Sequence, residues 1–315
     1  MIKKEAIEAV FRDSLKLKPQ ESCLILTDTI KENIARSFYE HALKLSKRAE
    51  LMIIKPTAEH SAEPPKEAAL KMLEYDVQLL ITEKSLTHTR ARRQATSRGH
   101  RIATMPGITE DTVNRCLDID YLALEERSKK LCSLLKATEE VKVITASGTD
   151  IKFSLEGSEF FGQNGGSFGL PKAFGNLPEG EVSFSPSDCE GVYVVDLSFP
   201  GLGILESPIT FRVKNCFVYK IEGGKSSQII ERLDKAGPLA YRVAELGIGL
   251  NPKARVIGSI LEDEKVISTV HIAVGNNLSY GRDNDVPLHL DGVISKPDIY
   301  LDKEKIMDKG DFLIF

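Results

Sequence analysis

No apolar run in this chain approaches the ~18–20 residues that a bilayer-spanning helix needs, so no membrane span is expected. The opening stretch MIKKEAIEAVFRDSLKLK reads as an amphipathic helix containing acidic residues. It lacks the apolar centre of a secretory signal, so a cytoplasmic protein is expected. Cysteine is sparse: Cys23, Cys116, Cys132, Cys189 and Cys216 are odd in number and widely spaced, with no CxxC pair. That pattern argues against a disulfide framework and against a thiolate zinc site. Any metal must then be held by carboxylates and imidazoles. Neither sign of charge dominates. Lys+Arg is 42 and Asp+Glu is 46, a formal net charge of −4. Such a balance gives no general pull toward nucleic acid or anionic membrane, and neither is expected as a partner.

What is present is ordinary globular composition, 42% hydrophobic and 28% charged over 315 residues, enough for two domains. The first half alternates. Helices are expected at 3–16, 31–48, 64–74, 88–99, 109–117 and 120–136, with strands at 23–27, 51–55, 77–82 and 101–105. This alternation predicts an α/β domain with a parallel sheet over 1–135. Glycine and proline then become dense. A mixed α+β domain is expected over 136–315, with strands at 141–145, 151–155, 181–185, 191–198, 209–213, 216–222, 256–261 and 267–274. One helix is expected at 226–246.

Two features invite a functional reading and have a plainer one. The glycine-rich stretch 162–180 lacks the Gly-Lys-Ser/Thr ending of a phosphate-binding loop and runs into a strand, not a helix N-terminus. Close backbone approach explains it better. Arg90, Arg92, Arg93, Arg98 and Arg101 lie close together without interleaved aromatics, which fits a solvated helix face. His41, His60, His88 and His100 show no ligand spacing, and no GxSxG elbow accompanies them.

The last two histidines keep different company. In Thr269–Gly275 (TVHIAVG), Val270, Ile272 and Val274 share one strand face, and His271, Ala273 and Gly275 share the other. Small neighbours leave open space beside the imidazole. In His289-Leu290-Asp291, residues two apart point the same way, so both side chains can serve one cation, or Asp291 can orient the imidazole that does. Glu181 opens the strand EVSFS after a Leu-Pro turn. Glu245 is expected in the last turn of helix 226–246, where it opposes the helix dipole and a cation would relieve it. Of Glu262, Asp263 and Glu264, between two strands, one need face inward. Carboxylates and imidazoles together suit Zn, Mn, Co or Fe, in a set large enough for two ions.

On these residues the chain resembles the aminopeptidase T and aminopeptidase S metallopeptidases, especially a shorter leucyl-aminopeptidase-related branch. The resembling segments are GNLPEGEV (175–182), AELGIGLNP (244–252), ILEDEKVISTVHIAVG (260–275) and HLDGVI (289–294), with SLTHTRARRQA (85–95) and Met-Pro-Gly (105–107) in the first half. The resemblance implies a divalent-metal-dependent aminopeptidase, a homodimer acting on a small peptide or other small molecule. It implies one or two metal ions per chain on Glu181, Glu245, Glu264, His271, His289 and Asp291, with Glu245 as ligand or general base. The family tyrosine that follows His-Ile-Ala-x-Gly is absent. Leu278 stands at its offset, and Tyr280 is the nearest tyrosine to take a catalytic role. The same superfamily includes ring-opening dioxygenases of dihydroxypyridines that use one ferrous ion, which would be held by His271, His289 and Asp291. A non-enzymatic metal-binding homologue is the third reading.

Overall fold

The computed structural model describes residues 2–315. It divides into two compact units. One comprises residues 1–125 and 164–179, the other 126–163 and 180–315. The partition is therefore not a single cut near residue 135, because the glycine-rich segment 164–179 returns to the first unit.

The first unit is built on a five-stranded, wholly parallel sheet. Its strands run in the order Arg48–Ile54, Ser22–Asp28, Val77–Ile81, Arg101–Thr104, Phe174–Asn176. Parallel strands need crossovers, which bury both sheet faces. The sequence meets that need: Ile25, Val77, Leu79, Ile81 and Ala103 pack with Phe11 and Phe38. Leu24, Leu26, Leu80 and Ile102 pack with Met72, Tyr75 and Ala91. The expected N-terminal helix is an α-helix over Lys4–Ala9 continued by a wider π turn at Val10–Ser14.

The second unit contains two antiparallel sheets. The eight-stranded sheet runs Phe217–Glu222, Ile209–Lys214, Asp188–Val195, Asp150–Ser154, Glu140–Ile144, Asp298–Leu301, Glu304–Asp308, Asp311–Phe312. The seven-stranded sheet runs Gly203–Ile204, Ser198–Phe199, His289–Ser295, Thr269–Gly275, Val243–Gly249, Glu181–Phe184, Phe160–Phe161. The mixed α/β class matches the sequence expectation.

Two expected elements differ. The helix predicted to reach residue 246 covers Ser226–Ala236. Gly237, at φ +95, turns its N–H back to the carbonyls of Leu233 and Asp234, and Pro238 cannot continue the helix. Residues Val243–Gly249 form a fully buried strand instead, so Glu245 meets no helix dipole. The strand expected at 256–261 is also absent. A loop there leads into a short helix, Ile260–Asp263.

Candidate metal centre

The seven-stranded sheet builds this site through its register. Glu245 lies opposite Ala273, and Ala273 lies opposite Asp291. Gly247 lies opposite His271, Gly275 opposite His289, and Gly249 opposite Glu181. Because strand side chains alternate, these residues share one face, while Leu246, Ile248, Val270, Ile272, Val274 and Leu290 fill the apolar core behind it. The small residues make the room. A Cβ on Gly247 would sit 2.1 Å from the His271 ring, and one on Gly249 would sit 2.0 Å from the Val266 carbonyl oxygen. The Glu-Leu-Gly-Ile-Gly stretch therefore supplies the Glu245 carboxylate and clears space for two neighbours.

The side chains converge. His271 Nε2 lies 3.3 Å from both Glu181 Oε2 and Glu245 Oε1. His289 Nε2 lies 2.9 Å from Glu245 Oε2 and 3.1 Å from Asp291 Oδ1. Three groups place their ligand atoms within 4.8 Å of one another: Glu181/Glu245/His271, Glu245/His289/Asp291, and Glu264/His271/Asp291. All six predicted ligands are thus brought together. The acidic triplet resolves as well. Glu262 accepts from the Arg255 N–H and Asp263 from the N–H groups of Ile257 and Gly258, leaving Glu264 turned to the cluster.

One residue goes beyond that set. Lys265 Nζ donates to Glu181 Oε1 and Glu264 Oε1, each at 2.6 Å. In sequence it ends an acidic run that reads as a solvated turn. Only the loop path after Ile260–Asp263 carries it inward.

Does this set fit a divalent cation? The His289 ring answers most directly. Its Nδ1 lies 2.7 Å from the Asn276 carbonyl oxygen, which can only accept, so Nδ1 carries the hydrogen. Nε2 of the neutral ring then presents a lone pair toward two carboxylates. Acceptors facing acceptors in a buried site call for a cation or for added protons. Without a metal, protons fill that role. Burial of His271 opposes its charging, but the Glu245 hydrogen bond and the charges of Glu181, Glu245 and Asp291 prevail, pushing it up to about 9. Burial likewise opposes charging of His289, and Asp291 and Glu245 raise it well above the usual imidazole range. Burial of Glu245 is outweighed by the two imidazoles, which hold its carboxyl well below the usual range. Burial pushes Glu264 up to about 7, with Lys265 opposing and Glu181 and Asp291 reinforcing. Imidazole nitrogens with carboxylate oxygens suit borderline divalent metals, so the residues fit.

Tyr280 stacks over His289, with centroids 6.1 Å apart and planes at 16°, and meets the Phe161 ring edge-on at 5.0 Å. Burial, then the charges of Glu245 and Glu181, raise its phenol well above the usual range. Leu278 is 48% exposed. In the first unit, Arg92 packs on Phe174 at 3.9 Å and donates to the Thr87 carbonyl, so it belongs to the fold there and not to a solvated face.

The family profile described as NicX: 2,5-dihydroxypyridine 5,6-dioxygenase matches residues 5–314. A curated 2,5-dihydroxypyridine 5,6-dioxygenase from Pseudomonas putida (strain KT2440) is 25% identical over 195 residues, or 57% of this chain and 55% of the relative. The match thus spans about half the length of that relative. The solved 2,5-dihydroxypyridine dioxygenase from Pseudomonas putida KT2440 superposes with a TM-score of 0.83 at 18% identity, covering 99% of this chain and 96% of that one. Wild-type AmpT from Thermus thermophilus superposes with a TM-score of 0.69 at 18% identity, covering 98% of each chain. Likeness at such identity speaks to fold alone. The aminopeptidase expectation is therefore corrected. Its structural counterpart shares the fold, whereas the profile and the curated relative are dioxygenases. The hydrolase and metallopeptidase reading falls with it. Among the described residues no helix is long and apolar enough to cross a membrane.

Proposed function

This chain belongs to the 2,5-dihydroxypyridine 5,6-dioxygenase (NicX) family, and on that premise we propose that it cleaves the ring of a dihydroxylated nitrogen heterocycle with O2, using one ferrous ion. The observation that carries this reading is the meeting of two imidazole Nε2 atoms with Glu245 and Asp291 on one buried sheet face. His271, His289 and Asp291 would hold the ion, with Glu245 between the two imidazoles. Two imidazoles and a carboxylate leave positions open for small ligands. When bound, ferrous iron supplies the one-electron chemistry by which O2 reacts with a closed-shell ring.

The protein's own contribution is orientation. The Asn276 carbonyl fixes the His289 tautomer and aims Nε2 at the ion position. Gly247 lets the His271 ring lie close against its neighbouring strand. Tyr280 and Phe161 add aromatic surface beside His289, against which a flat heterocycle can stack. The Tyr280 hydroxyl, which shares a hydrogen bond with Glu245, brings a polar group to the same surface. The homodimer implied by the sequence resemblance is retained in this proposal and is checked by light scattering.

Oxygen uptake tests the activity. Protein loaded anaerobically with Fe2+ and mixed with 2,5-dihydroxypyridine is expected to consume O2 in proportion to ring loss, and a chelator should abolish uptake. Iron-replete protein that consumes no O2 with any dihydroxypyridine isomer would overturn the reading.

A further inference from the structure

Lys265 is the only lysine among the described residues that is buried, at 1% exposure. A buried ammonium is costly unless its surroundings compensate it. Here the compensation is two carboxylates of the metal cluster itself, Glu181 and Glu264, each 2.6 Å from Nζ. The backbone holds it there. The Lys265 carbonyl accepts from the Asn251 N–H at 2.8 Å, and its own N–H donates to the Glu262 carbonyl at 3.0 Å. The missing side chain at Gly249 lets the Lys265–Val266 segment cross directly over the neighbouring strand.

The position of that ammonium has a consequence for metal content. Three groups in the cluster have metal-holding spacing. Lys265 takes an oxygen of Glu181, which belongs to one group, and an oxygen of Glu264, which belongs to another. Glu245/His289/Asp291 includes neither residue. A ligand set large enough for two ions thus has one end already neutralised by a fixed positive charge. That charge would repel a divalent ion placed between the same carboxylates.

We propose that the Lys265 ammonium takes the place of a second cation in this cluster, and so restricts the centre to a single divalent ion held away from the Glu181 and Glu264 carboxylates. This rests on the single-ion centre proposed above and names the residue that enforces it. Lys265 is a positioning and selecting residue here, with no contact to the reacting atoms required of it.

Counting metal tests the idea without reading activity. The full chain is saturated with Mn2+ alone, freed of excess ion, and assayed for metal per chain and by electron paramagnetic resonance. Wild type is expected to hold about one ion with the spectrum of an isolated Mn2+. Lys265→Met, which keeps an unbranched chain but removes the charge, and Lys265→Ala are expected to approach about two ions, with the spin coupling of a paired site. Lys265→Arg keeps the charge and should stay near one. Wild type binding two ions overturns the proposal whether or not the variants fold. Folded Lys265→Met and Lys265→Ala that both remain at one ion overturn it too, since a purely structural ion pair predicts that result. One ion per wild-type chain without O2 uptake would sink the dioxygenase reading and leave the role of Lys265 standing. Two ions with O2 uptake would do the reverse.

Discussion

The two units treat buried polar groups in opposite ways. In the parallel-sheet unit, carboxylates such as Asp28 and Glu21 meet donors. Buried Asp28 accepts from the N–H groups of Ile30, Lys31 and Glu83. Glu21 receives two parallel bonds from Arg101, at 2.7 and 2.8 Å. Thr104 donates to Asn176 at 2.6 Å and pairs with Thr87 at 2.7 Å. At the seven-stranded sheet, acceptors gather instead: four carboxylates and two imidazoles converge with a single ammonium, Glu264 and Lys265 coming from the loop after Ile260–Asp263. A satisfied network holds a fold together, whereas a surplus of buried acceptors marks a place built for something absent from the chain itself. The comparison favours the second unit as the seat of the proposed function, independently of any relative.

The sharpest way to break this contrast is to remove an acceptor from the surplus. His289→Ala deletes the ring that meets both Glu245 and Asp291. Loss of an outer partner of a metal ligand typically costs 10–100-fold in affinity, so loss of this ligand should cost more than about 100-fold. A Mn2+ titration followed by metal-dependent thermal shift measures it, and unchanged affinity would remove His289 from the centre. Gly247→Ala comes next. Its new Cβ meets the His271 ring at 2.1 Å, so the ring or the strand must move. Overpacking of this kind costs about 1–3 kcal/mol. Metal affinity should fall by about tenfold, the lower end of the effect of disturbing a ligand's support. An alanine variant with wild-type melting temperature and metal affinity would show that the ring is not held against that strand.

The legible parts of the site were those written in a period of two. His271 with Ala273 and Gly275, and His289 with Asp291, can be assigned to common faces from spacing alone. Glu245 was harder. The stretch 226–246 has helical charge patterning, but Gly237-Pro238 interrupts it, and that dipeptide is the signal that would have ended the helix at the right place. Lys265 was hidden for another reason. Glu-Asp-Glu-Lys looks like a solvated turn, and its inward path depends on Asn251 and Gly249, which come from elsewhere in the chain. The parallel sheet of the first unit was readable because its alternation is local. The return of 164–179 to its edge is a long-range pairing that no local pattern encodes. The activity was least legible, because a fold does not by itself fix a chemistry.

The smallest expected effect at the metal centre comes from the other side of the comparison. Glu21→Gln removes the charge that Arg101 grips, within the parallel-sheet unit. The Arg101 hydrogen bonds hold the Glu21 carboxyl below its usual range. Burial opposes this shift, and the Lys18 N–H and the Arg101 charge support it. A depressed carboxylate stabilises the fold fully above its unfolded value, about 4.3, and this contribution disappears as pH falls through the lower folded value. Wild type should therefore exceed Glu21→Gln by about 1.5–3 kcal/mol at neutral pH, as for hydrogen bonds to charged groups, and the gap should close as the solution is acidified below that value. Urea midpoints across the acid range provide the curve, and Mn2+ titration of the same variant should match wild type. A gap that widens toward acid would contradict the pairing. A shift in metal affinity would mean that the two kinds of polar burial are coupled, and the contrast between the units would no longer hold.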